Sequence, residues 1–231
     1  MEMRIPVTDG TIGGYLAEPA GDGPHPGVVI IHDAFGLTKD ARNITDRFAS
    51  EGFVALSPDL YSRGGMLRCV RSVFTDMFKR EGRTFDDIEA SRTLLTGRTD
   101  CSGLVGIAGF CLGGGFALVA ASRGFDASAP YYGQLPRDMS ALDEACPIVA
   151  SFGGKDFTLR GAAAKLETKL TERGIPHDVK EYPDAGHSFA NKISSAAPVN
   201  ALLKVTGFGY HEESSEDAWR RVTTFFGEHL R

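Results

Sequence analysis

Cysteine is scarce in this sequence and does not organise it. The four copies, at positions 69, 101, 111 and 146, form no Cys-x-x-Cys pair and no zinc-finger spacing, so neither a disulfide framework nor a structural metal is expected. Long apolar runs are missing as well. Nothing approaches the roughly 18 residues of a membrane helix, and the opening Met1-Glu2-Met3-Arg4-Ile5-Pro6 lacks the basic-then-apolar order of a signal peptide. No membrane association is expected, and the cytoplasm is the expected address. Positive charge is the third deficit: 25 basic residues stand against 30 acidic ones, a net -5, without the basic runs of a nucleic-acid binder. Internal repeats and serine-glycine or proline tracts are also lacking, which removes solenoids and obvious linkers.

What remains is an ordinary soluble composition, 42% hydrophobic and 24% charged, with one excess: 28 glycines among 231 residues, well above the usual ~7%. A chain of this size can bury about 70% of its extended surface, enough for one α/β domain over residues 1–231 without staples. The glycines follow no Gly-X-Y repeat, so tight turns and close backbone approaches are their expected use.

Met3 to Val7 and Thr11 to Ala17, parted by Asp9-Gly10, read as an opening hairpin. Gly27-Val28-Val29-Ile30-Ile31 is apolar throughout, the pattern of a strand covered on both faces of a parallel sheet. Alternating helices and strands follow: a helix over 40–51, a strand over 53–57, helices over 66–79 and 85–96, a strand over 104–108, and a helix over 112–122. Strands at 127–131, 147–152 and 177–182 and helices at 162–172 and 217–230 complete a mostly parallel sheet with helices on both faces. Residues 61 to 83 are candidates for a small helical cover, with a plain crossover helix as the alternative.

The chemistry concentrates at Gly109-Phe110-Cys111-Leu112-Gly113. This is the nucleophile-elbow pattern, a sharp strand-to-helix turn, with cysteine at the usual serine position. The helix beginning at Leu112 would bring unpaired N–H groups and its positive dipole end to Cys111, favouring thiolate. The spacing does not fit a dinucleotide loop, and Walker's lysine and hydroxyl are missing; no cofactor is expected. Downstream come an acid and then a histidine, the order this fold requires. Asp156 follows a strong strand, and His187 sits in the loop Pro183-Asp184-Ala185-Gly186-His187. His187 would take the thiol proton and Asp156 would orient it. Asp184 is a rival acid, less favoured because its short turn suits a bond to its own backbone. Backbone N–H groups of Leu112 and, in the loop His32-Asp33-Ala34-Phe35-Gly36, of Ala34 are the expected oxyanion donors. His32 and Asp33 with His187 and Cys111 could alternatively hold a metal, which would leave the elbow glycines unexplained, so no metal is expected. Phe35 and Phe110 are candidate pocket walls, and Cys69, Cys101 and Cys146 read as ordinary thiols.

Taken with Ser57-Pro58-Asp59-Leu60-Tyr61 and Gly186-His187-Ser188-Phe189, these segments resemble the dienelactone hydrolase family (carboxymethylenebutenolidases), small α/β-hydrolases without a large cap domain. The resemblance spans nearly the whole chain. It implies a Cys111–His187–Asp156 triad, oxyanion donors at Leu112 and Ala34, and an acid on the first oxyanion loop that holds the resting cysteine. Asp33 stands there in place of the family's usual glutamate. Asn191 stands where the family carries a carboxylate-binding arginine, putting a neutral amide in the expected substrate pocket; Arg68, Arg71, Arg80 and Arg83 are other sources of charge. The implied substrate is a small ester or lactone, with carboxylated enol-lactones as the family example, acted on by a monomer or weak homodimer. A broader carboxylesterase or thioesterase, and a non-catalytic binding protein, are the alternatives.

Overall fold

A computed structural model describes residues 1–192 and 209–231. Eight strands form one sheet: β1 (Glu2–Val7), β2 (Gly10–Ala17), β3 (His25–Ile31), β4 (Val54–Pro58), β5 (Cys101–Phe110), β6 (Ala127–Tyr131), β7 (Ile148–Gly153) and β8 (His177–Tyr182). Their spatial order is β1-β2-β4-β3-β5-β6-β7-β8. Only β2 runs against the rest, pairing antiparallel with β1 and β4. The helices are α1 (Lys39–Ser50), α2 (Met66–Lys79), α3 (Arg83–Thr96), α4 (Leu112–Ala120), α5 (Ala162–Arg173) and α6 (Glu212–His229). This is the α/β-hydrolase architecture that the sequence pattern implies.

The unbroken apolar run of β3 explains its central place. Val28 and Ile30 face a core shared with Phe48 of α1 and with Trp219, Val222 and Phe226 of α6. Val29 and Ile31 face the other side, toward Phe85, Ile88 and Leu95 of α3 and Phe116 of α4. Both faces are therefore covered, and a strand in this position has no polar side to show. The segment 61–83 contains α2, which buries Val73 and Met77 and packs on α3 and α4. Among the described residues no helix is long and apolar enough to cross a membrane.

Two elements run longer than their hydrophobic pattern indicates. β5 begins at Cys101, because exposed Ser102 and Gly103 extend the strand without adding apolar signal. α6 begins at Glu212, where a polar first turn with Glu212 and Glu213 is capped by the His211 side chain. Register then fixes what meets at the carboxyl edge. Ile31 lies beside Gly109, Phe110 beside Tyr131, and Gly153 beside Tyr182, so the loops after β3, β5, β6, β7 and β8 emerge together.

Candidate active site

Cys111 sits between β5 and α4 with φ 55° and ψ -112°. A residue with a Cβ at positive φ costs roughly 1–3 kcal/mol, which the surrounding structure must offset. The glycines make the turn sterically feasible. A Cβ at Gly109 would lie 2.0 Å from the Gly113 carbonyl oxygen, and one at Gly113 would lie 2.2 Å from that of Ile31. No side chain fits at either position, so β5, α4 and β3 approach through bare backbone.

Cys111 Sγ lies 3.1 Å from His187 Nε2, and His187 Nδ1 lies 2.6 Å from Asp156 Oδ2. The three groups thus form one hydrogen-bonded line although they are 31 to 76 residues apart in sequence. Asp156 Oδ1 accepts from the Thr158 backbone N–H at 2.9 Å and its hydroxyl at 2.6 Å. Burial opposes the charge on Asp156, but hydrogen bonds from His187 and Thr158 prevail and hold its carboxyl below the ordinary range. Asp184, the rival acid, is exposed and pairs with Lys155 at 3.1 Å.

For His187, burial disfavours the charged ring, but the bonds to Asp156 and Cys111 outweigh it and push the pKa up to about 9. Its sign has a testable consequence. A histidine with a raised folded pKa contributes stability that is whole below its unfolded value of 6.5 and is lost as pH rises through about 9. Urea unfolding should therefore give a free energy about 3 kcal/mol lower near pH ~9.5 than near pH ~6.5. The His187→Gln protein should lose that slope; an unchanged slope would show that another group carries it.

Leu112 opens α4, so its N–H has no helical carbonyl to meet. The Asp33 to Gly36 loop follows β3, next to the elbow. Asp33 departs from its expected role. Its Oδ1 accepts from the Phe35 N–H at 2.8 Å, and the Cys111 thiol is engaged by His187 instead. The short aspartate side chain closes on its own loop. Burial, followed by the opposing Phe35 bond and the Asp40 charge, leaves its pKa at about 6.

Two expected pocket residues lie inside the protein. Phe110 is 3% exposed and stacks on Tyr131 with ring centroids 4.6 Å apart, because it is the last inward residue of β5. Asn191 is equally buried: its Oδ1 accepts from Tyr132 OH and its Nδ2 donates to Asp40 Oδ2 at 2.9 Å. Phe35, at 59% exposure, is free to meet a ligand. Among the candidate arginines, Arg80 pairs with Asp138 and Arg83 with Asp9, while Arg68 and Arg71 lie exposed on α2. The metal alternative fails at His32. Its Nδ1 meets the Asp33 carbonyl and its Nε2 accepts from the Leu60 N–H, which leaves no lone pair for an ion.

Tyr132 is a site residue that motif reading misses. It sits at φ 39° just past β6, with its ring 5.3 Å from that of His187. The strand-end position, on the same carboxyl edge as the elbow, is the signal that could have found it.

The sequence profile of the dienelactone hydrolase family matches residues 12–230. Protein usf of Aquifex pyrophilus is 32% identical over 94% of this chain and 93% of its own length. A protein of Methylorubrum extorquens provisionally named carboxymethylenebutenolidase is 27% identical over 99% of this chain and 80% of its own. A crystal structure of a dienelactone hydrolase-like promiscuous phosphotriesterase from metagenomic libraries superposes with a TM-score of 0.81 at 22% identity, covering 100% of this chain and 99% of that one. That likeness is one of fold, whereas the profile match covers almost the whole sequence. The chain belongs to the dienelactone hydrolase family, within the α/β-hydrolases.

Proposed function

We propose that this protein hydrolyses small esters or lactones, with Cys111 as nucleophile, His187 as base and then acid, and Asp156 as the residue that orients the ring. The observation that carries this reading is the unbroken line from Cys111 Sγ through both His187 nitrogens to Asp156 Oδ2, at 3.1 and 2.6 Å. With the thiol proton held on Nε2, Sγ attacks the acyl carbon, forming the C–S bond while the carbonyl π electrons move to oxygen. N–H groups of Leu112 and Ala34 stabilise that oxyanion. Its collapse breaks the C–O bond, and the Nε2 proton goes to the departing oxygen. Water, deprotonated by His187, then cleaves the thioester, releasing the acid and restoring the thiol.

The substrate we favour is a neutral ester or lactone rather than a carboxylated enol-lactone. Position 191, where a carboxylate clamp is expected, is spent on Tyr132 and Asp40, and Arg80 and Arg83 are tied to acids elsewhere. A charge-assisted hydrogen bond to substrate is worth about 1.5–3 kcal/mol, or roughly tenfold and upward in binding. A turnover panel of dienelactone carboxylates, neutral lactones and thioesters should give neutral lactones kcat/KM values equal to or above those of the carboxylates. Tenfold preference for the carboxylated lactone would overturn this choice and restore the dienelactone substrate.

Thiol labelling tests the nucleophile against the non-catalytic alternative. Cys101 is buried, burial pushes the Cys146 thiol up to about 12, and Cys69 donates to the Tyr61 carbonyl. Iodoacetamide at neutral pH should modify Cys111 first, abolish ester turnover as it does so, and lose this selectivity in the His187→Ala protein. Equal labelling of all four thiols in the folded protein would remove the enzymatic reading.

A further inference from the structure

We infer that His32 and Tyr61 are positioning residues that clamp the oxyanion loop, holding the Ala34 N–H at the angle needed to receive charge from the substrate carbonyl. The inference rests on the hydrolase reading above. It comes from counting the polar atoms of the two peptide groups that flank Ala34. The Asp33 carbonyl accepts from His32 Nδ1 at 2.7 Å and from the Gly36 N–H at 3.2 Å. The Ala34 carbonyl accepts from Tyr61 OH at 3.1 Å. The Phe35 N–H donates to Asp33 Oδ1 at 2.8 Å. Three of the four polar atoms are pinned, and the fourth, the Ala34 N–H, has no partner among the described residues. Because a trans peptide is planar, with C=O and N–H on opposite sides, fixing the Asp33 carbonyl also fixes where the Ala34 N–H points.

The tautomer of His32 follows from its surroundings. Leu60 N–H, which can only donate, points at Nε2 at 3.2 Å. Nε2 must therefore carry the lone pair, and the single ring proton must sit on Nδ1, facing the Asp33 carbonyl. Burial favours this neutral form by lowering the histidine's pKa. Tyr61 packs beside it, with ring centroids 5.1 Å apart, and the loop admits the tyrosine ring only because residue 36 is glycine. A Cβ there would lie 2.9 Å from Tyr61 Cδ2. Both Leu60 and Tyr61 come from the turn after β4, the neighbour of β3 in the sheet. Asp59 Oδ1 shapes that turn by accepting from the Tyr61 N–H at 2.9 Å. The stretch Ser57-Pro58-Asp59-Leu60-Tyr61 thus supports the oxyanion loop from the adjacent strand.

Three substitutions separate this role from simple packing. Asparagine at 32 keeps a donor close to the position of Nδ1, whereas glutamine keeps an acceptor for Leu60 but no donor at the Asp33 carbonyl. Tyr61→Phe preserves the ring and removes only the hydroxyl. With p-nitrophenyl acetate, His32→Gln and Tyr61→Phe should lower kcat about tenfold or more while KM stays within about twofold, since a ~1 Å misplacement can cost up to ~100-fold. His32→Asn should retain most of kcat. Alkylation of Cys111 by iodoacetamide, a displacement at carbon that creates no oxyanion, should keep its wild-type rate in all three proteins, showing an intact fold and thiol. Full kcat in His32→Gln and Tyr61→Phe, or equal loss in His32→Asn and His32→Gln, would overturn the clamp. Esterase activity surviving in Cys111→Ala would remove the hydrolase reading and the clamp with it; an inactive Cys111→Ala beside a fully active His32→Gln and Tyr61→Phe would overturn the clamp alone.

Discussion

Replacing Cys111 with alanine is expected to lower kcat for ester hydrolysis by about 10⁶, the size of the loss seen when a triad nucleophile is removed outright. The loss should reach this size because, among the described residues, no other thiol contacts His187. Cys69, Cys101 and Cys146 lie on α2, at the start of β5 and before β7, none of them on the strand-to-helix turn that carries Cys111. Water activated by His187 is the expected replacement nucleophile. The substitution should leave the fold nearly unchanged. Alanine and cysteine both carry a Cβ, so each meets the same penalty at φ 55°, and the side chain lost is small and only half-buried. Steady-state turnover with thermal unfolding on the same samples checks both halves. Residual kcat above about one per cent of wild type, with an unchanged melting temperature, would move the chemistry away from Cys111.

Much of this site is legible in the sequence because its parts are local. Gly109-Phe110-Cys111-Leu112-Gly113 announces the elbow through residues that touch one another within one turn. Helix α2 ends where its apolar spacing ends, at Met66 and Lys79. The carboxyl-edge positions of Asp156 and His187 follow from the alternation of strands and helices, since parallel connections bring successive strand ends to one edge. What is not legible depends on distant partners. Asn191 sits where a substrate contact is expected, yet Tyr132, 59 residues away, and Asp40, 151 residues away, claim its amide. Phe110 reads as an aromatic beside a nucleophile, but the alternation of β5 turns it inward against Tyr131. Asp33 has the right charge on the right loop, and its length decides where it goes: an aspartate reaches the N–H two residues on, a bond within its own loop. A distant partner also hides His32: Leu60 becomes its neighbour only once β3 and β4 pair.

Asp156→Asn should be less damaging than loss of the nucleophile, with kcat falling by about 10³–10⁴ although every side chain keeps its place. In the native site Asp156 Oδ2 can only accept, so the 2.6 Å contact requires a proton on His187 Nδ1 and leaves Nε2 as the nitrogen that exchanges a proton with Sγ. Asparagine has two ways to sit there. Thr158 donates both its N–H and its hydroxyl to Oδ1, and these bonds would keep the asparagine oxygen on that side. The amide nitrogen would then face Nδ1 as a donor, and His187 would answer with the opposite tautomer, presenting N–H to the thiol it must deprotonate. Asp184→Asn is the matched control. Its carboxylate is exposed and bound only to Lys155 among the described residues, so kcat should stay within about twofold of wild type, as for ordinary surface changes. The two variants also differ in pH behaviour. The bond to Asp156 is the leading influence raising the His187 pKa, so the stability lost between about pH 6.5 and 9 should shrink in Asp156→Asn and persist in Asp184→Asn. Full activity in Asp156→Asn, or the larger loss in Asp184→Asn, would reassign the orienting acid to the His187 loop itself.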